Sequence, residues 1–327
     1  MNILVTGGAG YIGSHMVRML VSGGHKVVVL DTMEFGHTLA LPSGATLVKS
    51  DVANRVMLDS IFSQNHIEAV IHFAGYISVE ESMRDPKKYF HNNLIAPIAL
   101  LESMEAHGID KIIFSSTAAV YGNPQTVPIP EDHPKNPTSV YGLSKWCFER
   151  YLSLFDRQKK IRSISLRYFN AAGVSLDGNN GEAHDPETHI IPLGFRAAME
   201  KKEFYLFGND YPTRDGSCVR DYIHIEDLCN VHLLVLDALA NGHGTDIYNV
   251  GTGIGVTNKE VIAQIKKETG VEFPIITKDR RAGDPAELIA DPTKLKKEFG
   301  WEPKYSDITT IVATAWRWHK THPNGYT

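Results

Sequence analysis

Tyr141 and Lys145 are the residues of this chain whose types and spacing point most directly to chemistry. On a helix, side chains four positions apart lie on one face, so the phenol and the ammonium would be neighbours. A nearby positive charge favours the phenolate, which predicts that Lys145 lowers the pKa of Tyr141 toward neutrality. A tyrosine with such a pKa can take a proton from a hydroxyl group and return it.

Thr117 lies about one element upstream and could hydrogen-bond to the same phenolic oxygen. The alternative for the Tyr141 and Lys145 pair is a plain one, since neighbours four residues apart are common on solvated helices. The elements that precede the pair decide between the two interpretations.

A glycine-rich turn follows the first predicted strand, residues 3–6, and opens the first predicted helix. Gly7, Gly10 and Gly13 have the spacing G-x-x-G-x-x-G, with Tyr11 and Ile12 inside it. Such a turn points backbone N–H groups and the positive end of a helix at a phosphate. The position between a strand and a helix is the context that a dinucleotide-binding turn requires.

Further candidate cofactor residues follow the next predicted strands. Asp31 ends the second strand, where a carboxylate accepts from a ribose 2′-hydroxyl and repels a 2′-phosphate, so NAD is predicted over NADP. The alternative is a carboxylate that caps a turn. Asp51 and Val52 end the third strand, and residues 72–75 end the fourth, with the small residues Ala74 and Gly75 where a cofactor backbone would pass. Open α/β sheets bind ligands at this edge.

Composition limits the classes of function. The 327 residues carry a formal net charge of −5 with interspersed signs, which gives no basic footprint for nucleic acid. Three scattered cysteines indicate neither a disulfide framework nor a cysteine metal site. The fifteen histidines are dispersed, and we expect no metal site. With no apolar run long enough to span a bilayer, we expect a soluble cytoplasmic protein without membrane contact.

The pattern of apolar runs predicts an α/β fold. Short continuous apolar strands at 3–6, 26–30, 45–49, 69–73, 111–115 and 161–167 alternate with helical segments such as 12–21 and 93–104. This alternation is typical of a doubly wound parallel sheet. We predict an NAD-binding Rossmann domain at 1–170, rejoined by parts of 219–251, and a smaller mixed α/β lobe at 171–327 that binds the substrate. Helices are predicted at 227–240 and 258–269, and a strand at 246–250.

Taken together, these motifs resemble the extended short-chain dehydrogenase/reductase family, and in particular its UDP-glucose 4-epimerase branch. The likeness covers nearly the whole chain and includes segments 7–15, 89–93, 115–122, 166–170, 208–213, 219–224 and 280–284. The last three segments are far more diagnostic than the glycine turn.

The resemblance implies roles for individual residues. Tyr141 would be the general base and acid, Lys145 would lower its pKa and hold the nicotinamide ribose, and Thr117 would bridge to the sugar oxygen. The implied NAD-binding residues are Gly7, Gly10, Tyr11, Ile12, Gly13, Asp31, Asp51, Val52, Phe73, Ala74, Gly75, Asn92, Ser115, Tyr141, Lys145 and Phe169. The implied substrate-binding residues are Thr117, Tyr141, Asn170, His189, Arg220, Arg281 and Asp284. A homodimer joined through the 93–104 helix and the Tyr141 helix is also implied.

The chain departs from some members of this family at a few positions. Thr117 stands where serine is frequent, and either hydroxyl can donate and accept. Ile77 replaces a lysine near the cofactor phosphates, and His189 stands where some members have asparagine beside the diphosphate. Leu288 replaces a tyrosine that lines the sugar pocket in some members, which bears on substrate range.

The implied reaction is inversion at C4 of a UDP-hexose, UDP-galactose or UDP-glucose, through a transient 4-keto sugar. Related dehydratases need an acid pair after the threonine, and decarboxylases acting on UDP-glucuronate carry glutamate near that point. Ala118 and Ala119 stand there instead, and alanine cannot transfer a proton. Two alternatives stay open: an epimerase for uronic or N-acetylated UDP-sugars, and a non-catalytic NAD-binding protein. The latter has no need of Thr117, Tyr141 and Lys145 together.

Overall fold

A computed structural model of the chain describes residues 1–159, 161–281 and 283–326. The chain divides into two compact units, each made of separated segments. Unit 1 comprises Met1–Gly122, Lys135–Arg167 and Cys229–Tyr248, and unit 2 comprises Asn123–Pro134, Tyr168–Leu228 and Asn249–Thr327. A single cut along the chain therefore does not separate the two units.

Strands and helices are numbered in chain order. The strands are β1 (Asn2–Thr6), β2 (Lys26–Asp31), β3 (Ala45–Lys49), β4 (Ala69–His72), β5 (Lys111–Thr117), β6 (Arg162–Tyr168), β7 (Asn170–Ala172), β8 (Phe204–Phe207), β9 (Val219–His224), β10 (Asp246–Val250), β11 (Gly255–Thr257), β12 (Ile275–Lys278) and β13 (Glu287–Leu288). The α-helices are α1 (Tyr11–Ser22), α2 (Arg55–Asn65), α3 (Val79–Arg84), α4 (Pro86–Phe90), α5 (Ala96–Ala106), α6 (Val140–Lys159), α7 (Ile190–Glu200), α8 (Ile225–Ala240), α9 (Asn258–Thr269), α10 (Thr293–Phe299) and α11 (Ile308–Thr321).

Unit 1 is organised by a sheet that has seven strands within the described residues, in the order β10-β6-β5-β4-β1-β2-β3. The pairs from β3 to β5 are parallel, and Thr6 lies in register with Leu30 on one side and His72 on the other. α-Helices follow β1, β3, β4 and β5, while β2 and β3 are joined by a segment with a short 3-10 turn at Thr38–Ala40. Helices α2, α5 and α6 contribute buried side chains to a core with the sheet. The arrangement is a Rossmann-like doubly wound fold, which confirms the predicted fold class.

The predicted elements of unit 1 agree closely with the observed ones. Each of the six predicted strands corresponds to one of β1 to β6, with ends displaced by at most two residues. The helix predicted at 93–104 differs, because a π-helical turn at His91–Ile95 precedes α5. Such turns are rare and frequently mark functional sites.

Unit 2 contains a second, mixed sheet and a helical layer. Strand β9 pairs antiparallel with β11 and parallel with β13 and β7. A two-stranded parallel sheet joins β8 and β12. Helices α7, α9 and α11 pack around a separate apolar core that includes Phe195, Ile265 and Trp318. Among the described residues, none of the helices has the length and apolarity that a membrane span would need.

Candidate active site

The three predicted catalytic residues are brought together by the packing of α6 against the turn that follows β5. Ser139 precedes α6, and its hydroxyl oxygen accepts a hydrogen bond from the Gly142 N–H at 3.1 Å. A Cβ at position 142 would lie 2.5 Å from the carbonyl oxygen of Ala119, so only glycine allows this approach. The Tyr141 hydroxyl consequently lies in hydrogen-bonding contact with Thr117 at the end of β5.

Burial raises the pKa of Tyr141, and its hydrogen bond with Thr117 opposes this rise without cancelling it. The expectation that Lys145 brings the pKa of this phenol toward neutrality is therefore wrong for the chain alone. Desolvation of the phenolate outweighs the hydrogen bond, so Tyr141 is protonated at neutral pH.

Lys145 is a buried ammonium with partners of its own. It is 2% exposed, its Nζ donates to the carbonyl oxygen of Ser115 at 3.1 Å, and it lies 5.0 Å from the ring centre of Phe114. Burial lowers the pKa of Lys145 to about 8. An ammonium has three protons, so donors remain for a ligand hydroxyl after the bond to Ser115.

Packing within the protein requires glycine at two positions of the glycine turn but not at the third. Gly7 has a φ of +69°, and a Cβ there would lie 2.5 Å from the Ala74 nitrogen. A Cβ at Gly13 would lie 2.1 Å from the Gly7 oxygen. At Gly10 the nearest described atom would be 3.5 Å away, an ordinary contact. Glycine at position 10 therefore leaves the helix N-terminus open to close approach by a ligand, which fits a dinucleotide phosphate.

Asp31 both shapes this turn and keeps capacity for a ligand. Its carboxylate accepts hydrogen bonds from the N–H groups of Ala9 and Met33, each at 2.9 Å. The turn-capping interpretation is thus correct as far as it goes. A carboxylate offers about four acceptor positions, so two backbone bonds leave room for a ribose hydroxyl.

The other predicted cofactor residues of unit 1 lie mainly at the carboxyl ends of the parallel strands. The N–H groups of Phe73 and Ala74 both donate to the Thr6 oxygen, at 2.9 and 3.1 Å, which fixes the segment after β4. Tyr11 and Ile12 begin α1, Asp51 and Val52 follow β3, Asn92 lies in the π-helical turn, and Ser115 lies in β5. Phe169 follows β6 and belongs to unit 2.

The small sheet of unit 2 brings together residues that are far apart in sequence. Arg220 lies on β9, Leu288 is its register partner on β13, and Asn170 on β7 is the partner of Tyr222. Arg220 and Tyr222 project to the same face of β9, because strand side chains alternate. Three of the predicted sugar-nucleotide positions therefore share one sheet.

The two predicted arginines differ in their surroundings. Arg220 donates from Nη1 to the carbonyl oxygens of Val219 and Pro285 at 2.8 and 2.9 Å, and its Nη2 lies 3.5 Å from Asp284 Oδ1. Arg281 is exposed, and its guanidinium lies 4.1 Å from the ring centre of Phe207. Arg220 is thus held in place by backbone carbonyls, whereas Arg281 presents its donors to solvent. Ala282, within the 280–284 segment, lies outside the described residues.

Residues 3–251 match the family model described as the NAD dependent epimerase/dehydratase family. The chain belongs to this family. NAD is accordingly its cofactor, in agreement with the fit of the glycine turn and Asp31.

Individual relatives agree over the full length. The chain is 46% identical to a UDP-glucose 4-epimerase of Lacticaseibacillus casei, covering 100% of this chain and 99% of that protein. A solved structure described as UDP-glucose 4-epimerase has a TM-score of 0.97 at 44% identity and full coverage of both chains. The enzyme of Bifidobacterium longum, solved with NAD+ and UDP, has a TM-score of 0.94 at 36% identity and covers 99% of this chain and 100% of its own.

One positioning residue of unit 1 was not anticipated from the sequence. Asn93 is buried, accepts from the Tyr76 N–H at 2.9 Å, and donates to the Tyr76 oxygen at 3.0 Å and to Ser144 Oγ at 3.3 Å. It thereby links the segment after β4 to the helix that carries Tyr141. The signal that could have found it is an asparagine pair, Asn92 and Asn93, at the start of an otherwise apolar helical pattern.

Asp221 is the corresponding residue of unit 2 that sequence reasoning did not single out. Its buried carboxylate accepts hydrogen bonds from the N–H groups of Thr252, Gly253 and Ala290 and from the Thr252 hydroxyl, at 2.7 to 3.1 Å. Four donors fix the strand that carries Arg220 to two separate loops. The carboxylate therefore fixes the backbone of the strand from which Arg220 projects.

Proposed function

We propose that this protein inverts the configuration at C4 of a UDP-hexose, interconverting UDP-galactose and UDP-glucose through a transient 4-keto sugar. The observation that carries the proposal is the contact between Tyr141 of α6 and Thr117 at the end of β5, with Lys145 buried on the same helix as Tyr141. The family match and the relatives at 42–46% identity described as UDP-glucose 4-epimerases support it.

Side chains of the protein itself carry out the proton transfer. Tyr141 takes the proton of the sugar 4-hydroxyl and returns it to the same oxygen after the configuration at C4 has been inverted. Thr117 hydrogen-bonds to that sugar oxygen as well. NAD, when bound, accepts the C4 hydride and gives it back. Burial raises the pKa of Tyr141 in the chain alone, so we propose that the phenol is activated only in the ligand-bound enzyme. Lys145 holds the nicotinamide ribose with its remaining donors.

Binding residues are assigned as follows. In unit 1, the cofactor contacts are the glycine turn with Tyr11 and Ile12, Asp31, Asp51, Val52, Phe73, Ala74, Gly75, Asn92 and Ser115. In unit 2, Phe169 contacts the nicotinamide, and Asn170, His189, Arg220, Arg281 and Asp284 hold the UDP-sugar. Arginine is suited to a diphosphate because its planar fork forms bidentate, charge-assisted bonds.

Dehydration and decarboxylation are disfavoured by the residues after Thr117. Ala118 and Ala119 form a 3-10 turn, and the Ala119 N–H donates to Thr117 Oγ1 at 3.1 Å. This turn carries methyl groups where the related lyases need acids and bases. Neither Ala118 nor Ala119 can take the C5 proton of a 4-keto intermediate or protonate its C6 oxygen, which favours return of the hydride.

We also propose a homodimeric protein of the cytoplasm. The three cysteines form no disulfide, which suits a reducing compartment. Ile95 and Leu154, on the elements expected to form the dimer contact, are 55% and 48% exposed. Light scattering on purified protein tests the dimer, and a mass equal to one chain would contradict it.

The function is tested by a coupled assay for conversion of UDP-galactose to UDP-glucose without added NAD. We expect turnover, because hydride returns to the sugar in each cycle and the cofactor is regenerated. Release of a 4-keto product, or activity confined to a dehydrated product, would overturn the proposal.

A further inference from the structure

Four potential metal ligands converge in the loop that precedes α7 in unit 2. The sequence Glu182-Ala-His184-Asp-Pro-Glu187-Thr-His189 supplies two carboxylates and two imidazoles within eight residues. One ligand atom from each lies within 4.8 Å of all the others. Both imidazoles present Nδ1 to the same carboxylate oxygen, Glu182 Oε1, from His184 at 3.2 Å and from His189 at 2.8 Å.

The spacing of these atoms is that of a coordination shell. In a tetrahedral zinc site with bonds of about 2.0–2.2 Å, neighbouring ligand atoms are ~3.3–3.6 Å apart. The distances from the two imidazole nitrogens to Glu182 Oε1 are 3.2 and 2.8 Å, and those to the Glu187 oxygens are 3.8 and 3.1 Å. These four distances bracket the tetrahedral value, and the remaining distances between the ligand atoms are at most 4.8 Å.

Charge and burial add an independent reason. The side chains of Glu182 and Glu187 are only 7% and 3% exposed, and two adjacent buried carboxylates require two positive charges. One divalent cation with two neutral imidazoles satisfies the same charge balance, with ligands of the kind that zinc prefers.

We propose that Glu182, His184, Glu187 and His189 bind one zinc ion. All four positions are filled by protein, so the site is of the closed, structural type. His189 binds the ion through Nδ1, which leaves Nε2 for the UDP-sugar contact proposed above. It fixes the loop whose last residue, His189, is the N-cap of α7. This departs from the expectation of no metal site, which overlooked the spacing E-x-H-x-x-E-x-H because it mixes two ligand types.

The experiment uses the full chain without a histidine tag. Protein is stripped with a chelator, dialysed, and titrated with zinc against a competing indicator, while cobalt serves as a spectroscopic probe of tetrahedral geometry. We expect one zinc per chain, an increase in melting temperature on zinc addition, and the intense visible bands of tetrahedral cobalt. Magnesium and calcium should have no effect, because they prefer shells of six or more oxygens.

The variant Glu182→Gln with His184→Ala removes two ligands and leaves His189 in place. Loss of an outer-shell partner alone costs roughly 10- to 100-fold in metal affinity, so this variant should lose more. His107→Asn is the matched control, since His107 pairs with Asp59 at 3.2 Å elsewhere and should bind zinc like the parent.

Three results overturn the proposal: parent protein that is folded by circular dichroism yet binds no zinc, cobalt spectra without tetrahedral bands, or equal zinc affinity in parent and ligand variant. The parent measurements stand even where the double variant fails to fold. Because metal content and spectra are read without substrate, the outcome is independent of the proposed epimerase activity.

Discussion

Unit 1 and unit 2 both offer residues for ligand chemistry but position them by different means. In unit 1, Thr117 ends a buried strand, and Tyr141 and Lys145 share a helix that is pressed against the following turn. In unit 2, Arg281 and Asp284 lie in loop segments, and Arg220 is placed by a short sheet of non-consecutive strands. The proposed catalytic residues therefore lie on long regular elements of unit 1, whereas the proposed substrate residues of unit 2 lie on short strands and in loops.

The largest effect should come from a substitution in unit 1. Tyr141→Phe removes the proton-transfer group and keeps the ring, so we expect kcat to fall roughly 100- to 10,000-fold with NAD still bound. Tyr151→Phe, on the same helix with its ring stacked 5.6 Å from Phe155, is the control and should keep full activity. A Tyr141→Phe enzyme that retains more than about a tenth of kcat would remove the tyrosine from its role.

A buried ion pair between α6 and β6 should give the next largest effect, which is on stability. Arg167 donates from Nε and Nη2 to Glu149 at 2.9 and 2.7 Å, and both side chains are at most 2% exposed. Glu149→Gln leaves the guanidinium without its counter-charge and should lower the free energy of unfolding by about 3–5 kcal/mol.

The control for Glu149 is an exposed pair in unit 2. Lys296 and Glu302 are 2.6 Å apart, but the glutamate side chain is 67% exposed, so Glu302→Gln should change the unfolding free energy by less than about 1 kcal/mol. Chemical denaturation of both variants checks the contrast. Equal losses would show that burial does not govern these pairs.

How far the sequence predicts the molecule follows the same division. Strands β1 to β6 are visible as continuous apolar runs, and the glycine turn, Asp31 and the Tyr141 pair have fixed local spacings. The partnership of Asn170 with Tyr222, or of Leu288 with Arg220, depends on strand register over long separations, which no local pattern records. The direction of the Tyr141 pKa shift cannot be predicted from the sequence, because the spacing places Lys145 nearby but does not show how deeply the phenol is buried.

The arginines of unit 2 should affect binding rather than the chemical step. We expect Arg281→Ala to raise KM by roughly 10- to 100-fold through loss of a charge-assisted bond to the diphosphate, with unchanged NAD binding and stability. Arg280→Ala is a matched control, because Arg280 is occupied by Asp210 at 2.7 Å and by the Tyr211 ring. Arg220→Ala should raise KM as well and also reduce stability, since two backbone carbonyls lose their donor. Equal loss of NAD and UDP affinity would instead indicate a structural role for Arg281.

Lys145 of unit 1 offers a test with a smaller effect, in which the stability of the protein depends on pH. Burial lowers the pKa of Lys145 from its usual value to about 8, so in NAD-free protein the cost of the buried charge is complete below pH 8. Between about pH 8 and pH 10 the unfolded chain binds more protons than the folded one, and stability rises with pH. Lys145→Met should therefore raise the unfolding free energy by about 1–3 kcal/mol at pH 7, and this gain should vanish as the pH approaches 10. A variant that is less stable at pH 7 would show that the contacts of Lys145 outweigh its desolvation.

The smallest effect concerns Leu288, which lies in unit 2. Leu288 is partly buried on β13 beside Arg220, and we propose that it borders the C2 side of the sugar. Leucine has less reach than the tyrosine found in some family members and no hydroxyl, so it leaves room for an N-acetyl group. Changes of this size in a pocket shift discrimination by only about 1–3 kcal/mol, which favours tolerance over a switch of preference.

The comparison to make is kcat/KM for UDP-galactose and UDP-N-acetylgalactosamine in the parent and in Leu288→Tyr. We expect activity on both sugars in the parent and a several-fold shift toward UDP-galactose in the variant, because the added ring fills the space beside C2. Leu176→Tyr, at a leucine of unit 2 that is 39% exposed, controls for the added ring itself. Close packing allows neighbouring side chains to refill such a gap, and an unchanged ratio in Leu288→Tyr would mean that they do. Position 288 would then have no part in substrate choice, and the difference between unit 1 and unit 2 would rest on the arginines alone.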